Sequence, residues 1–263
     1  MAGLNTEINF PQTDALQSLE DCNRALMERV DQQLDQINRM GRLKRFLPAQ
    51  LADSILRSDE RELLKYHRRE ITAIFLDLRG FTAFSDRAEP EDVMALLLSY
   101  YSEAGKVIFK FDGTLEYFAG DGMMVFFNAP VPCENHPEKA VLMALEIRDR
   151  VRELRTAWLA RSHNLDLGIG LATGYAAVGN IGFAGRMNYG AVGSVINLAA
   201  RLCAQAKGGQ ILTNEKTLSE IETIVEAEPL PELHLKGFIR PVKPFNIVSR
   251  KTRLDDRKHI HQN

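Results

Sequence analysis

The chain has 263 residues, 45% hydrophobic and 26% charged, with a formal net charge of -2: ordinary globular composition, long enough for one sizeable core plus an extension. So balanced a charge gives no electrostatic case for nucleic acid or an anionic membrane surface as partner. The longest apolar runs fall far short of a membrane span, and no basic stretch followed by an apolar one opens the chain, so the expectation is a cytoplasmic protein with no membrane insertion. Cys22, Cys133 and Cys203 are three in number and widely spaced, which fits free thiols in a reducing compartment rather than a disulfide framework or a zinc site.

Three regions are expected: residues 1–66, helical and linking; 67–250, the globular domain; and 251–263, a polar tail. From about Asp14 to Met40 the sequence lacks proline, and Leu16, Leu19, Asn23, Leu26, Val30, Gln33, Ile37 and Met40 follow alternating steps of three and four. That is the seam of a short parallel coiled coil, with Asn23 and Gln33 weakening it but able to fix register. The alternative is an amphipathic helix lying on its own domain. A further helix is expected after Pro48, since proline suits a first helical turn. Beyond Glu70 the elements alternate: a strand ending at Asp77, a helix over about Pro90 to Phe109, strands at Gly113–Phe118 and Gly122–Asn128, and a long helix to about Arg161. Leu167–Thr173 reads as the next strand, continuing through Gly179 toward a hairpin, with Asn180–Tyr189 an exposed arm. A helix over Val195–Ala206 and strands at Gln210–Thr213 and Pro244–Val248 close the domain. The β-α-β-β-α-β order predicts an α+β, ferredoxin-like sheet covered by helices on one face.

Two acidic residues stand at strand ends. Asp77 closes the apolar run Ile71-Thr-Ala-Ile-Phe-Leu-Asp77 and is followed by Leu-Arg-Gly80-Phe-Thr82. Asp121 lies in Gly120-Asp121-Gly122, a turn between two apolar strands. Carboxylates so placed can hold hard divalent cations through their oxygens and can share a pair of them, although aspartates in glycine turns often serve only turn geometry or capping.

Phe75-x-Asp77-x-x-Gly80-Phe81-Thr82, then Gly120-Asp121-Gly122, then Asn197-x-x-x-Arg201 within Gly193-Ser-Val-Ile-Asn-Leu-Ala-Ala-Arg-Leu202, resemble in order and spacing the signature of the class III nucleotide cyclases, from about Ile71 to Val248. The resemblance implies an enzyme, a phosphorus-oxygen lyase that makes a 3′,5′-cyclic nucleotide and pyrophosphate from a nucleoside triphosphate. It implies Asp77 and Asp121, with the backbone carbonyl of Leu78, as ligands for two Mg²⁺ or Mn²⁺ ions per active site. It also implies Arg201 facing the α-phosphate, Asn197 orienting the ribose and Lys236, in Leu233-His-Leu-Lys236-Gly, on the polyphosphate. Sites in this family lie between head-to-tail subunits, so the aspartates of one protomer are expected to face Tyr117, Ser194, Asn197, Arg201 and Lys236 of its partner in a homodimer.

The sequence departs from the family where the base is read. Position 117, four before the second metal aspartate, carries Tyr, and position 194, three before the ribose asparagine, carries Ser; neither the Lys/Asp pair of adenylate-forming members nor the Glu/Cys pair of guanylate-forming ones is present. Tyrosine narrows a pocket and its hydroxyl can still bond a base edge, which resembles the bacterial pyrimidine cyclases. The expectation is a cyclic CMP or cyclic UMP product in antiphage signalling, read by a downstream cyclic-nucleotide-binding effector. The alternatives are an adenylate cyclase, a Tyr117 that merely packs on the sheet, and a catalytically silent nucleotide-binding regulator. A dinucleotide-forming cyclase is a further alternative, and it lacks its expected turn here, since the chain reads Ala-Gly-Asp-Gly.

Overall fold

The computed structural model describes residues 11–43, 65–161, 163–183 and 186–251. It comprises two compact units, Met1–Leu47 and Pro48–Asn263. In the first, α1 (Pro11–Leu43) is one helix of 33 residues, and the seam residues Leu19, Leu26, Val30 and Ile37 are exposed along it. The side chains of Leu16 and Met40, the helix expected after Pro48 and the tail from residue 252 lie outside the described residues. Among the described residues no helix is long and apolar enough to cross a membrane.

The second unit runs β1 (His67–Arg79), α2 (Phe81–Ser85), α3 (Pro90–Lys110), β2 (Thr114–Ala119), β3 (Gly122–Phe127), α4 (His136–Ala160), β4 (Asp166–Phe183), β5 (Arg186–Val192), α5 (Ser194–Gln205), β6 (Ile211–Asn214), α6 (Glu215–Ile221), β7 (Val225–Pro229) and β8 (Pro244–Arg250). One eight-stranded sheet takes the order β2-β3-β1-β4-β6-β8-β7, with β5 paired to β4. β1 lies inside it, antiparallel to β3 on one side and β4 on the other. The expected α+β, ferredoxin-like architecture is present. Three details differ: β1 continues two residues past Asp77, because Leu78 and Arg79 still pair with Leu167 and Asp166; the short α6 and the edge strand β7 carry too weak a pattern to be seen in sequence, β7 reading Val-Glu-Ala-Glu-Pro; and helices cover both faces of the sheet rather than one.

The alternation along β4 explains the second layer. Successive strand residues point to opposite faces, so Leu167, Ile169 and Leu171 enter one core with Ile74, Leu76 and Leu78 of β1, Tyr100 and Val107 of α3, and Val141 and Ile147 of α4. The residues between them are Gly168, Gly170, Ala172 and Gly174, small enough for α5 to lie against the sheet. There Val195 and Ala199 of α5 join Ile71, Ala73, Met124, Phe126 and Ala172 in a second core. Gly170 is the closest approach: a Cβ at that position would meet the backbone of Ala199 and Cys203, with the Cys203 Cα at 2.7 Å.

Gly170→Ala should therefore push α5 off the sheet. Overpacking of this kind costs about 1–3 kcal/mol, so the thermal midpoint should fall by several degrees; an unchanged midpoint would show that the helix has room to spare.

Candidate active site

Asp77 and Arg79 share a face of β1 two residues apart, and the guanidinium Nη1 lies 3.1 Å from Asp77 Oδ2. Nη2 of Arg79 reaches over Gly168 to donate to the Cys203 carbonyl at 2.9 Å, tying the end of β1 to the last turn of α5. Asp121 projects from the β2–β3 turn, where Gly120 holds a left-handed φ of 57° that glycine adopts without strain. The Tyr101 hydroxyl of α3 donates to the Gly120 carbonyl. Asp121 Oδ2 accepts the Leu78 backbone N–H at 3.0 Å, so the pairing of β3 with β1 brings both aspartates to one place. Burial, then the negative charge of Asp77, pushes the Asp121 carboxyl up to about 6. Two carboxylates that repel each other, with a backbone carbonyl between them in sequence, form a hard-oxygen donor set suited to Mg²⁺ or Mn²⁺. Among the described residues no cluster of three or more metal-ligating side chains occurs, so this pair with its backbone oxygen is the donor set at hand. Of the three free thiols Cys22 is exposed and Cys203 buried, and that burial pushes the Cys203 pKa up to about 12, far from reactive.

A second group of residues gathers along α5. Val195, Ala199, Leu202 and Cys203 are buried, which leaves Ser194, Asn197 and Arg201 on the exposed side, Asn197 and Arg201 one turn apart. Lys236 is exposed in the β7–β8 connection. Its neighbour Leu235 is buried in a cluster with Leu202 of α5, Ala206 just beyond that helix and Leu212 of β6, and Leu233 and Val242 exchange backbone hydrogen bonds at the base of the loop. The lysine is thus presented beside the helix that carries Arg201. Tyr117 pairs with Met124 across the β2–β3 hairpin and is 45% exposed. Among the described residues no hydrogen bond or ion pair joins the two aspartates to Tyr117, Ser194, Asn197, Arg201 or Lys236.

Sequence reasoning passed over Arg79, whose reach to Asp77 and Cys203 needed the strand pairing, and Glu116. The β2–β3 register shifts between Leu115 and Tyr117, so Glu116 has no cross-strand partner and its carboxyl lies against Gly190 of β5, where a Cβ would sit 3.0 Å from the Glu116 Cδ. Burial pushes this carboxyl up to about 7, opposed by a hydrogen bond from the Ala191 backbone N–H. A glutamate followed by an aromatic residue in a strand carried no signal to find it by.

The sequence profile described as "Adenylate and Guanylate cyclase catalytic domain" matches residues 64–248; the chain belongs to that family of nucleotide cyclase catalytic domains. It is 32% identical over 184 residues to Adenylate cyclase 1 of Rhizobium meliloti, a match covering 69% of this chain and 28% of that protein. The chain therefore spans under a third of the length of that relative. Among solved structures it resembles the adenylyl cyclase CyaB of P. aeruginosa, with a TM-score of 0.69, 35% identity, and 73% of this chain and 99% of the other covered. It is similar also to the guanylyl cyclase Cya2, with a TM-score of 0.68, 33% identity, and 72% and 97% covered.

The raised Glu116 pKa fixes the sign of one pH effect. Between its ordinary 4.5 and about 7 the folded chain holds a proton that the unfolded chain has lost, so Glu116 makes folding less favourable as pH rises through that window. Glu116→Gln should leave the thermal midpoint little changed at pH 4.5 and raise it at pH 8; an equal shift at both values would mean that the carboxyl is not desolvated.

Proposed function

We propose that this domain is a nucleotide cyclase that converts a nucleoside triphosphate to its 3′,5′-cyclic monophosphate and pyrophosphate, with ATP as the substrate favoured by the names of its relatives. The observation that carries the reading is the carboxylate pair: Asp77 and Asp121 meet at the paired ends of β1 and β3, fixed by the Leu78 N–H bond to Asp121 at 3.0 Å, in a chain whose α5 exposes Asn197 and Arg201. In the reaction the ribose 3′ oxygen bonds to the α-phosphorus in line as the bond to the pyrophosphate oxygen breaks. Asp77, Asp121 and the Leu78 carbonyl would hold a pair of Mg²⁺ or Mn²⁺ ions, which would supply acidity at the 3′ hydroxyl and positive charge at the polyphosphate. Arg201 offers a guanidinium to the charge that develops on the α-phosphate, Asn197 orients the ribose through its amide, and Lys236 adds a positive charge for the polyphosphate. No side chain acts as nucleophile.

The aspartates are not bonded to the α5 group within one chain, which supports a site completed by a second copy in a two-fold homodimer with two equivalent sites. The exposed seam of α1, with Leu19, Leu26, Val30 and Ile37, is suited to pair with its counterpart and hold that dimer. A second reading, a pyrimidine cyclase whose cyclic CMP or cyclic UMP serves as an antiphage signal for a binding effector, is favoured by one observation. Tyr117 stands 45% exposed on β2, where its ring would narrow a base pocket.

Purified protein incubated with Mn²⁺ and each of the four nucleoside triphosphates, with products identified by mass, should yield cyclic AMP most rapidly; a cyclic pyrimidine as main product would favour the second reading, and no cyclic product would refute both. Asp77→Ala and Asp121→Ala should each fold yet lose nearly all turnover. Mixing Asp77→Ala with Arg201→Ala should restore roughly a quarter of wild-type activity, since half of the dimers formed at random are mixed and carry one intact site of two. Removal of residues 1–40 should shift sedimentation toward monomer, and an unchanged dimer would assign α1 another task.

A further inference from the structure

Glu116 is placed for a role that packing does not explain. It occupies the extra position of a bulge, and bulges commonly re-aim a side chain beside a functional site. Its carboxyl fills the space that any side chain at position 190 would occupy, since a Cβ there would collide with Glu116 Oε1. Among the described residues Oε2, which is buried, has no hydrogen-bond partner, and a buried carboxyl oxygen left unpaired is costly unless a ligand supplies the partner. Tyr117 is the next residue, close enough to feel the Glu116 charge. Its strand partner Met124 belongs to the core that contains Ala191 and Val195. The bulge therefore turns two consecutive side chains, Glu116 and Tyr117, toward the β5–α5 side of the sheet, where Ser194 and Asn197 also lie.

We propose that Glu116 is a base-recognition residue of the cyclase, its carboxyl group pairing with a base edge that presents an amino donor beside a ring-nitrogen acceptor, as adenine and cytosine do. Tyr117, 45% exposed, is the side chain whose rotation admits the base to the unpaired oxygen. With one oxygen accepting the Ala191 N–H, the neutral carboxyl donates from the other, Oε2, the complement of adenine N1 and N6–H₂ or of cytosine N3 and N4–H₂ and, in that fixed orientation, not of the N–H and C=O edge of hypoxanthine or uracil. An ionised carboxylate offers two acceptors and matches guanine N1–H and N2–H₂ instead. Burial holds Glu116 near the balance of these forms, at about 7. The groups facing it are the Ala191 N–H from β5 and the Tyr117 phenol on its own strand; no charged side chain contributes to its shift.

The inference rests on the cyclase reading, and wild-type turnover of any nucleoside triphosphate tests that reading first. The test of Glu116 is then the ratio of kcat/KM for bases that differ only in the edge: ATP against ITP, and CTP against UTP, from pH 6 to 8.5. Wild type should prefer the amino-bearing member of each pair, and the preference should weaken as pH rises. Glu116→Gln, which keeps a donor and an acceptor without titrating, should keep the preference and make it independent of pH. Glu116→Ala should lower it about tenfold, the worth of one hydrogen bond of roughly 1.4 kcal/mol, through KM rather than kcat. Equal ratios for wild type and Glu116→Ala, both shown to be folded at the assay temperature by circular dichroism, would overturn the proposal. So would a wild-type enzyme that turns over GTP alone.

Discussion

How closely α5 approaches the sheet is decided by the residues of β4 beneath it. With Gly170 under Ala199 and Cys203, backbone meets backbone, and no larger residue at that place would permit it. The remainder follows from this closeness. Arg79 crosses Gly168 to reach both Asp77 and the Cys203 carbonyl, so one guanidinium refers the carboxylate end of β1 to the helix that carries Asn197 and Arg201. Leu202, one residue beyond Arg201, packs with Leu235 and sets the loop bearing Lys236 beside the same helix.

The carboxylate pair is organised with equal economy. Asp77 is paired with the Arg79 guanidinium, while a backbone N–H, from Leu78, fixes Asp121 relative to β1, and Tyr101 anchors the turn from below through the Gly120 carbonyl. The like charge of Asp77 contributes to the raised pKa of Asp121, an arrangement that disfavours the pair alone and favours a divalent cation between them.

Glu116 is placed by a different device. The hairpin of β2 and β3 shifts register between Leu115 and Tyr117, and that shift alone aims Glu116 at Gly190. In a regular strand consecutive residues diverge to opposite faces, so Glu116 and Tyr117 could not both serve one pocket. The family resemblance points to positions 117 and 194; the packing draws attention to 116 and 190, where a carboxyl stands in for an absent side chain.

The sequence by itself determined the apolar run ending in Asp77, the Gly-Asp-Gly turn, and the spacing of Asn197 and Arg201, because each is written in neighbouring residues and in periods of two or 3.6. The same local signals placed the two long helices α3 and α4 and the hairpin arm of β4 and β5. Only the tertiary structure decided that helices cover both faces of the sheet, that Arg79 links Asp77 to α5, that Leu235 brings Lys236 to that helix, and that Glu116 meets Gly190. Each of those depends on residues far apart in the chain and on a register or a depth of packing that local pattern does not encode. The β4 stretch Leu167-Gly-Ile-Gly-Leu-Ala-Thr-Gly174 stands between the two cases. Its alternation identifies a strand, but whether the small face meets solvent or a helix depends on α5, which folds onto it from more than twenty residues away.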